Sequence, residues 1–235
     1  SVSIAMVIDK RQEIIAAHGQ AVDSALRFLE KKAGYTRRGK DGQVNEKLPG
    51  LLFSKHRHYD SRAQQPQLHD HCIVYNLAVR SDGSWGTIDS RHLFKWKMAT
   101  GAIYRAELSQ NLKNIGYTIG RDGDFFKLDA ISDTIVEKYS KREKDISALK
   151  EKFRISNMSS KAGQKLVVQS RTSKRDSSTE DLFLTWENEL KGEELIDTTH
   201  RSIQGLIDQD IALRELTERN SYFKEQDLYQ HLAVQ

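Results

Sequence analysis

From Lys10 to Lys32, the apolar residues Ile14, Ala17, Ala21, Ala25, Phe28 and Leu29 recur at three- and four-residue steps. That period predicts an amphipathic helix with one face in the core. The stretch 34–47, GYTRRGKDGQVNEK, is polar, basic and glycine-containing, so a loop or hairpin tip is expected there. LPGLLFSKHRH then reads as a strand ending in basic residues. QLHDHCIVYNLAV, rich in β-branched and aromatic residues, is the best strand pattern in the chain. Asp82-Gly83 marks a turn into WGTID. Ser90 to Asn114 predicts a second long helix, with Leu93, Trp96, Met98, Ala102, Ile103, Ala106 and Leu112 on its apolar side.

Further on, YTIGRDGDFFKLD (117–129) predicts a hairpin with Asp-Gly at its tip. Ser132 or Asp133 is placed to cap one helix running through TIVEKYSKREKDISALKEKF. Helices are also expected over Lys161–Gln169, around Trp186 after a polar loop at 171–181, and in GLIDQDIALRELTERN. Hairpin connections between helices predict an α+β fold, an antiparallel sheet with helices on one face. A composition change near 190–197 divides a main unit, 1–192, from a helical extension, 193–235, that leads toward a following domain.

The 235 residues suffice for one substantial core plus an appendage. Charged residues at 30% and hydrophobic residues at 37% describe a globular chain rather than a disordered one. The net charge of +4 permits nucleic-acid binding without requiring it. The single cysteine, Cys72, excludes an internal disulfide framework and a cysteine-based zinc site. No signal peptide or bilayer-length apolar run is visible, so a cytoplasmic location is expected. The start at Ser1, running directly into SVSIAMVID, reads as the interior of a larger polypeptide. No glycine-rich phosphate loop is present, and GRDGDFF fits neither a P-loop nor a dinucleotide fingerprint.

The chemistry concentrates in HYDSRAQQPQLHDHCIVYN (58–76), which holds three of the eight histidines. On a strand, residues i and i+2 share a face, so His69 and His71 project side by side. The neighbouring strand offers His56 and His58. Three imidazoles on one side of an ion leave its other side open to substrate oxygens. Spacing alone leaves two readings open, a metal site or structural histidines paired with carboxylates. The zinc-hydrolase pattern H-x-H-x-D-H fails because Cys72, Ile73 and Val74 follow, and no H-E-x-x-H occurs.

H-x-x-S-R at His58–Arg62, Q-P-Q-L-H-x-H through His71, and the apolar strand ending at Asn76 resemble the signature of conjugative relaxases of the MobF class, within the HUH endonuclease superfamily. The resemblance extends to SVSIAMVIDKRQEIIAAHGQAVDSALRFLE, GAIYRAELSQNLKNIGY, YSKREKDI, QSRTSK and LRELTERNSYFKEQDL, and so covers most of the chain. It implies a palm-like antiparallel sheet and a DNA-nicking activity at a plasmid's origin of transfer, in which a tyrosine becomes joined to the 5′ phosphate. It also implies a divalent cation, Mg²⁺ or Mn²⁺, with Zn²⁺ able to occupy the site in crystals. The implied ligands are His58, His69 and His71; His56 lies off the motif.

The nucleophilic tyrosines and the aspartate that orients one ligand histidine fall upstream of Ser1 in the family pattern. No catalytic nucleophile is therefore expected in this chain. Asp70 stands where the superfamily has a hydrophobic residue, and strand alternation sends it to the face opposite the metal. Lys55, Arg57, Arg62, Arg171 and Lys174 are candidate contacts to single-stranded DNA, as are Arg37, Arg38, Lys40 and Arg175. Trp85, Trp96 and Phe125 are candidates for base stacking, weighed against core packing. Implied partners are origin single-stranded DNA, other relaxosome proteins and a C-terminal helicase or motor domain. The competing expectation is a non-catalytic single-stranded DNA-binding or interaction module that keeps the relaxase fold, or, from a third class, an unrelated three-histidine metalloenzyme.

Overall fold

A computed structural model describes residues 1–123, 125–153, 155, 160–169, 177–193 and 224–233. The chain opens with a short helix, α1 (Val2–Ile8), whose Ile4, Ala5, Met6 and Val7 are all buried. A helix so apolar must be covered by its neighbours, and it packs against α2 (Arg11–Ala33), strand β4 (Pro66–Val74) and α7 (Thr179–Glu189). Its serines tie it down. Ser3 Oγ accepts from the Leu68 amide at 2.9 Å, and Ser1 Oγ accepts from the Leu128 amide at 3.0 Å.

The frame is the pair α2 and α3 (Ser90–Asn114). Ala17, Ala21 and Ala25 on α2, with Ala99 and Ala102 on α3, are buried small residues on the two helices. The main core collects Ile14, Leu108 and Leu112 from this pair, Leu128 and Ile119 from a hairpin, and Phe183 and Trp186 from α7. A smaller cluster joins Ala33, Trp96 and Ala99 to Phe28 and Tyr229. Tyr229 belongs to α8 (Glu225–Leu232), which docks on α3.

Among the described residues the strands form four separate two-stranded antiparallel ladders. These are β1 (Tyr35–Arg38) with β2 (Val44–Lys47), β3 (Phe53–Asp60) with β4, β5 (Ala78–Val79) with β6 (Trp85–Gly86), and β7 (Ile119–Asp122) with β8 (Phe125–Leu128). The α+β class and its antiparallel pairing are as expected, although the sheet is divided into small ladders. Asp82-Gly83 does form a hairpin tip, but β4 stops at Val74 and β5 is a separate short strand. Gly83 takes φ +79, which suits a residue without Cβ.

Two expectations need correction. The single helix expected after Ser132 is two helices, α4 (Asp133–Lys138) and α5 (Lys141–Lys152), separated at Tyr139–Ser140. Ser140 Oγ bonds back to the Val136 carbonyl at 2.7 Å, and the Tyr139 hydroxyl donates to Glu189 at 2.9 Å on α7. These contacts favour a break that no proline or glycine announces. On α3, Met98 is 56% exposed rather than part of the apolar side. Lys161–Gln169 is helical as expected, and forms α6. The expected helix in GLIDQDIALRELTERN lies outside the described residues. No described helix is long and apolar enough to cross a membrane.

Asp89 caps α3. Its side chain, 2% exposed, accepts from the Arg91 amide at 3.2 Å and from the Arg91 guanidinium at 2.6 and 2.9 Å. The Arg91 hydrogen bonds hold this carboxyl down at about 2. A folded-state value below the unfolded one means the contribution is present above about pH 4 and is lost as pH falls toward the folded value. Asp89→Ala is expected to cost about 1–2 kcal/mol in urea unfolding at neutral pH. The gap between the variant and the parent should shrink as pH drops from 4 to 2.

Candidate metal centre

Strands β3 and β4 pair in a register that places His58 opposite His69 and His56 opposite His71. Because side chains alternate across a strand, all four histidines share one face. The other face carries Tyr59, Leu68, Arg57 and Asp70, and there Tyr59 and Leu68 pack on the main core. The apolar inner residues thus fix which way the hairpin faces, and the imidazoles project outward. The expectation that Asp70 points away from His69 and His71 is met.

Three of the rings gather. Their centroids are 5.4 Å apart for His58 and His69, 4.9 Å for His58 and His71, and 5.1 Å for His69 and His71. Imidazoles that share one ion at metal–nitrogen distances of about 2.0–2.1 Å have centroids about 5 Å apart, so the spacing fits. Among the described residues, no three His, Cys, Asp or Glu side chains already converge tightly enough to hold an ion without adjustment. His69 Nδ1 lies 2.8 Å from the Gln67 carbonyl. A carbonyl only accepts, so Nδ1 carries the proton and Nε2 keeps a lone pair for a cation. His56 instead turns toward Ser54 Oγ at 3.2 Å.

The loop that joins the two histidine-bearing strands is held from outside. Ser61 accepts from and donates to Gln65 across it, with Gln64 at φ +55. The Trp186 indole donates to the Gln64 carbonyl at 2.8 Å, and the Gln65 side-chain oxygen accepts from the Lys141 amide at 3.2 Å. Helices α5 and α7 therefore anchor the segment whose sequence is QQP.

The basic candidates separate. Lys55 and Arg57 project on the inner face, where Lys55 pairs with Asp23 and Arg57 with Asp70. Arg62 is exposed in the loop beyond His58. Arg38 is shared between Glu46 at 3.2 Å and Asp82 at 2.7 Å. Arg171, Lys174 and Arg175 lie outside the described residues. Trp96 is a core residue, 4% exposed, whereas Trp85 and Phe125 are 64% and 62% exposed.

Sequence reasoning missed a polar chain behind the histidines. His18 Nδ1 is 2.8 Å from the Tyr104 hydroxyl, and His18 Nε2 approaches Asp70 Oδ1 at 3.2 Å. The second approach is close but lacks hydrogen-bond alignment, and among the described residues Nε2 has no hydrogen-bond partner. Burial pushes the His18 imidazole below its usual range, and burial pushes Tyr104 up to about 12. Burial opposes ionisation of Asp70 as well, but its hydrogen bonds from Arg57 and its pairing with His18 outweigh that and hold it low. His18 is 86 residues from Tyr104, too far apart for any local pattern to join them.

The family model for the TrwC relaxase matches residues 1–192. A multifunctional conjugation protein TraI of Escherichia coli is 32% identical over 173 residues, 63% of this chain and 10% of the relative. TraI of Escherichia coli strain K12 is 34% identical over 136 residues, 52% of this chain and 8% of the relative. The chain thus spans about a tenth of the length of these curated relatives. A metal-bound structure of the conjugative relaxase TrwC with oriT DNA superposes at TM-score 0.74 with 33% identity, covering 81% of this chain and 67% of that one. A TrwC complex with a 27-mer DNA comprising the recognition hairpin and the cleavage site matches equally well, over 81% of this chain and 69% of that one. On the extent of the family match, this chain belongs to the TrwC relaxase family.

Proposed function

We propose that this chain is the cation- and DNA-holding part of a conjugative relaxase, which nicks and transfers one strand at an origin of transfer. The observation that carries the reading is the gathering of His58, His69 and His71 on one open hairpin face, with ring centroids 4.9–5.4 Å apart. These three residues would hold a divalent cation, Mg²⁺ or Mn²⁺, whose chemistry is to neutralise charge on the nonbridging oxygens of the scissile phosphate. The chain's own imidazoles stay neutral as ligands, so the bound cation keeps its full charge. Arg62, exposed just past His58, is placed to meet DNA backbone beside the histidines. Arg171 and Lys174 remain proposed DNA contacts.

In this reading the nucleophile is a tyrosine, and none of the described tyrosines is assigned that role. Its oxygen bonds to phosphorus, the P–O3′ bond breaks, and the 3′ oxygen leaves with a proton. Two of the described tyrosines near the hairpin have other work, while Tyr75, just past β4, is exposed. Tyr59 packs edge-on to Phe183 at 5.6 Å, and Tyr104 is committed to His18. A helicase or motor domain and other relaxosome proteins complete the proposed setting. TraI relatives, of which this chain spans about a tenth, are named multifunctional.

An end-labelled, origin-containing single-stranded oligonucleotide with Mn²⁺ tests the reading. Affinity should fall steeply with salt, as phosphate contacts require. No covalent 5′ adduct should form with this chain alone. An adduct would overturn the assignment of the nucleophile, and absence of single-stranded binding would overturn the relaxase reading itself.

A further inference from the structure

Behind the histidine face, Arg57 and Asp70 are cross-strand partners. Their rung lies between the rung of His58 and His69 and the rung of His56 and His71. The Arg57 guanidinium grips the carboxylate with two hydrogen bonds, Nε at 2.9 Å and Nη2 at 3.1 Å. The Asp70 side chain is 2% exposed and that of His18 is 3% exposed. The chain of contacts continues through His18 to Tyr104, so the hairpin is tied to both α2 and α3.

Stability is a weak reason for such an arrangement. Desolvating a carboxylate costs several kcal/mol, and buried ion pairs can often be replaced by apolar residues at little loss. Helix α2 also keeps a glycine in its interior here, an unfavourable choice relative to alanine. A Cβ on Gly19 would stand 3.2 Å from Arg57 Nη2, so the glycine makes room for the guanidinium. Register is the better reason. The β3–β4 ladder becomes irregular between His58 and Asp60, immediately beyond the ligand rung. A slip of one residue would turn the histidines of the slipped strand inward.

We propose that Asp70, gripped by Arg57 and abutted by His18, is the positioning residue of the three-histidine face. It pins the two strands at the rung between the ligand positions, so that His58, His69 and His71 present their rings to one cation. This rests on the metal-centre reading above, and the test separates the two.

Mn²⁺ binding is measured by calorimetry, and the imidazole ¹⁵N resonances are recorded in metal-free protein. Asp70→Ala is expected to weaken Mn²⁺ binding about 10–100-fold, an effect of the size that loss of a ligand's hydrogen-bond partner has, here acting through the strand register. It should also shift the His69 and His71 ring resonances without metal. Asp70→Asn, which keeps an acceptor for Arg57, should recover part of the affinity. Lys55→Ala, which cuts the neighbouring Lys55–Asp23 pair on the same face, should change neither readout. The decisive variant is Arg57→Leu/Asp70→Leu, which removes the buried charges without leaving one unpaired. It should melt near the parent temperature yet bind Mn²⁺ weakly. Parental affinity and unmoved ring resonances in that double variant would overturn the proposal and leave the pair a structural contact. If the parent binds no Mn²⁺, the metal reading fails, while the ring resonances still decide whether Asp70 positions the histidines.

Discussion

Alanine at His58, His69 or His71 is expected to remove Mn²⁺ and Zn²⁺ binding, each by more than the about 10–100-fold attached to loss of an outer partner. Each ring faces the other two at 4.9–5.4 Å, so removing any one leaves a two-nitrogen site. His56→Ala is the internal control. It shares the face and the register, but its ring turns toward Ser54 at 3.2 Å. It should leave metal affinity largely unchanged. The same variants should retain parental urea midpoints, because the histidine face is open and contributes no apolar packing to the core. Calorimetry with both ions, run beside urea unfolding, checks the two halves together. Loss of binding on His56→Ala with retention on His69→Ala would place the ion elsewhere on the hairpin. Gln67 supplies a finer test. Its backbone carbonyl accepts from His69 Nδ1, which frees Nε2 as the ligand atom. In ¹⁵N spectra of His69, the metal-dependent shift should therefore fall on Nε2.

The parts of this site that were legible in the sequence are those set by period. His-x-His on a β-branched run places two imidazoles on one face whatever the rest of the chain does, and the pairing with His58 follows from a short hairpin. The ends of α3, from Ser90 to Asn114, were equally legible, because Asp89 is a strong cap and the apolar period is long. The same alternation sent Asp70 inward. Its partners were another matter. Asp70 meets His18, 52 positions earlier, only because α2 packs beneath the hairpin, and nothing in either local sequence encodes that meeting. The break between α4 and α5 has the same origin. Tyr139 leaves the helical path to reach Glu189, 50 residues away on α7. The charge of a lysine or arginine was also a poor guide to its role. Lys55 and Arg57 look as suited to DNA as Arg62 does, but strand parity turns them to a face where carboxylates wait.

Trp186→Ala is expected to be the most damaging core substitution, at about 3–5 kcal/mol, the range for removing a buried large aromatic side chain. Trp186 is 1% exposed and meets Phe183 edge-on at 5.2 Å. A domain holds a net stability of only about 5–15 kcal/mol, so this loss is a large share of it. The indole does more than fill space. Its Nε1 donates to the Gln64 carbonyl, in the loop that carries the chain from the His58 strand to the His69 strand. Gln64 sits at φ +55, a strained conformation for a residue with a Cβ, so the loop depends on outside support. Trp186→Phe separates the two contributions. It keeps most of the apolar contact but leaves the Gln64 carbonyl without its donor, at a cost of about 1–3 kcal/mol. Urea midpoints should therefore fall in the order parent, Phe variant, Ala variant. In hydrogen exchange, the Phe variant should lose protection first at Gln64 and Gln65, while the amides of α2 and α3 stay slow. Uniform loss across the chain would mean that Trp186 serves the core alone. Loss confined to the loop would mean that a helix more than a hundred residues away in sequence helps to hold the two histidine-bearing strands in place.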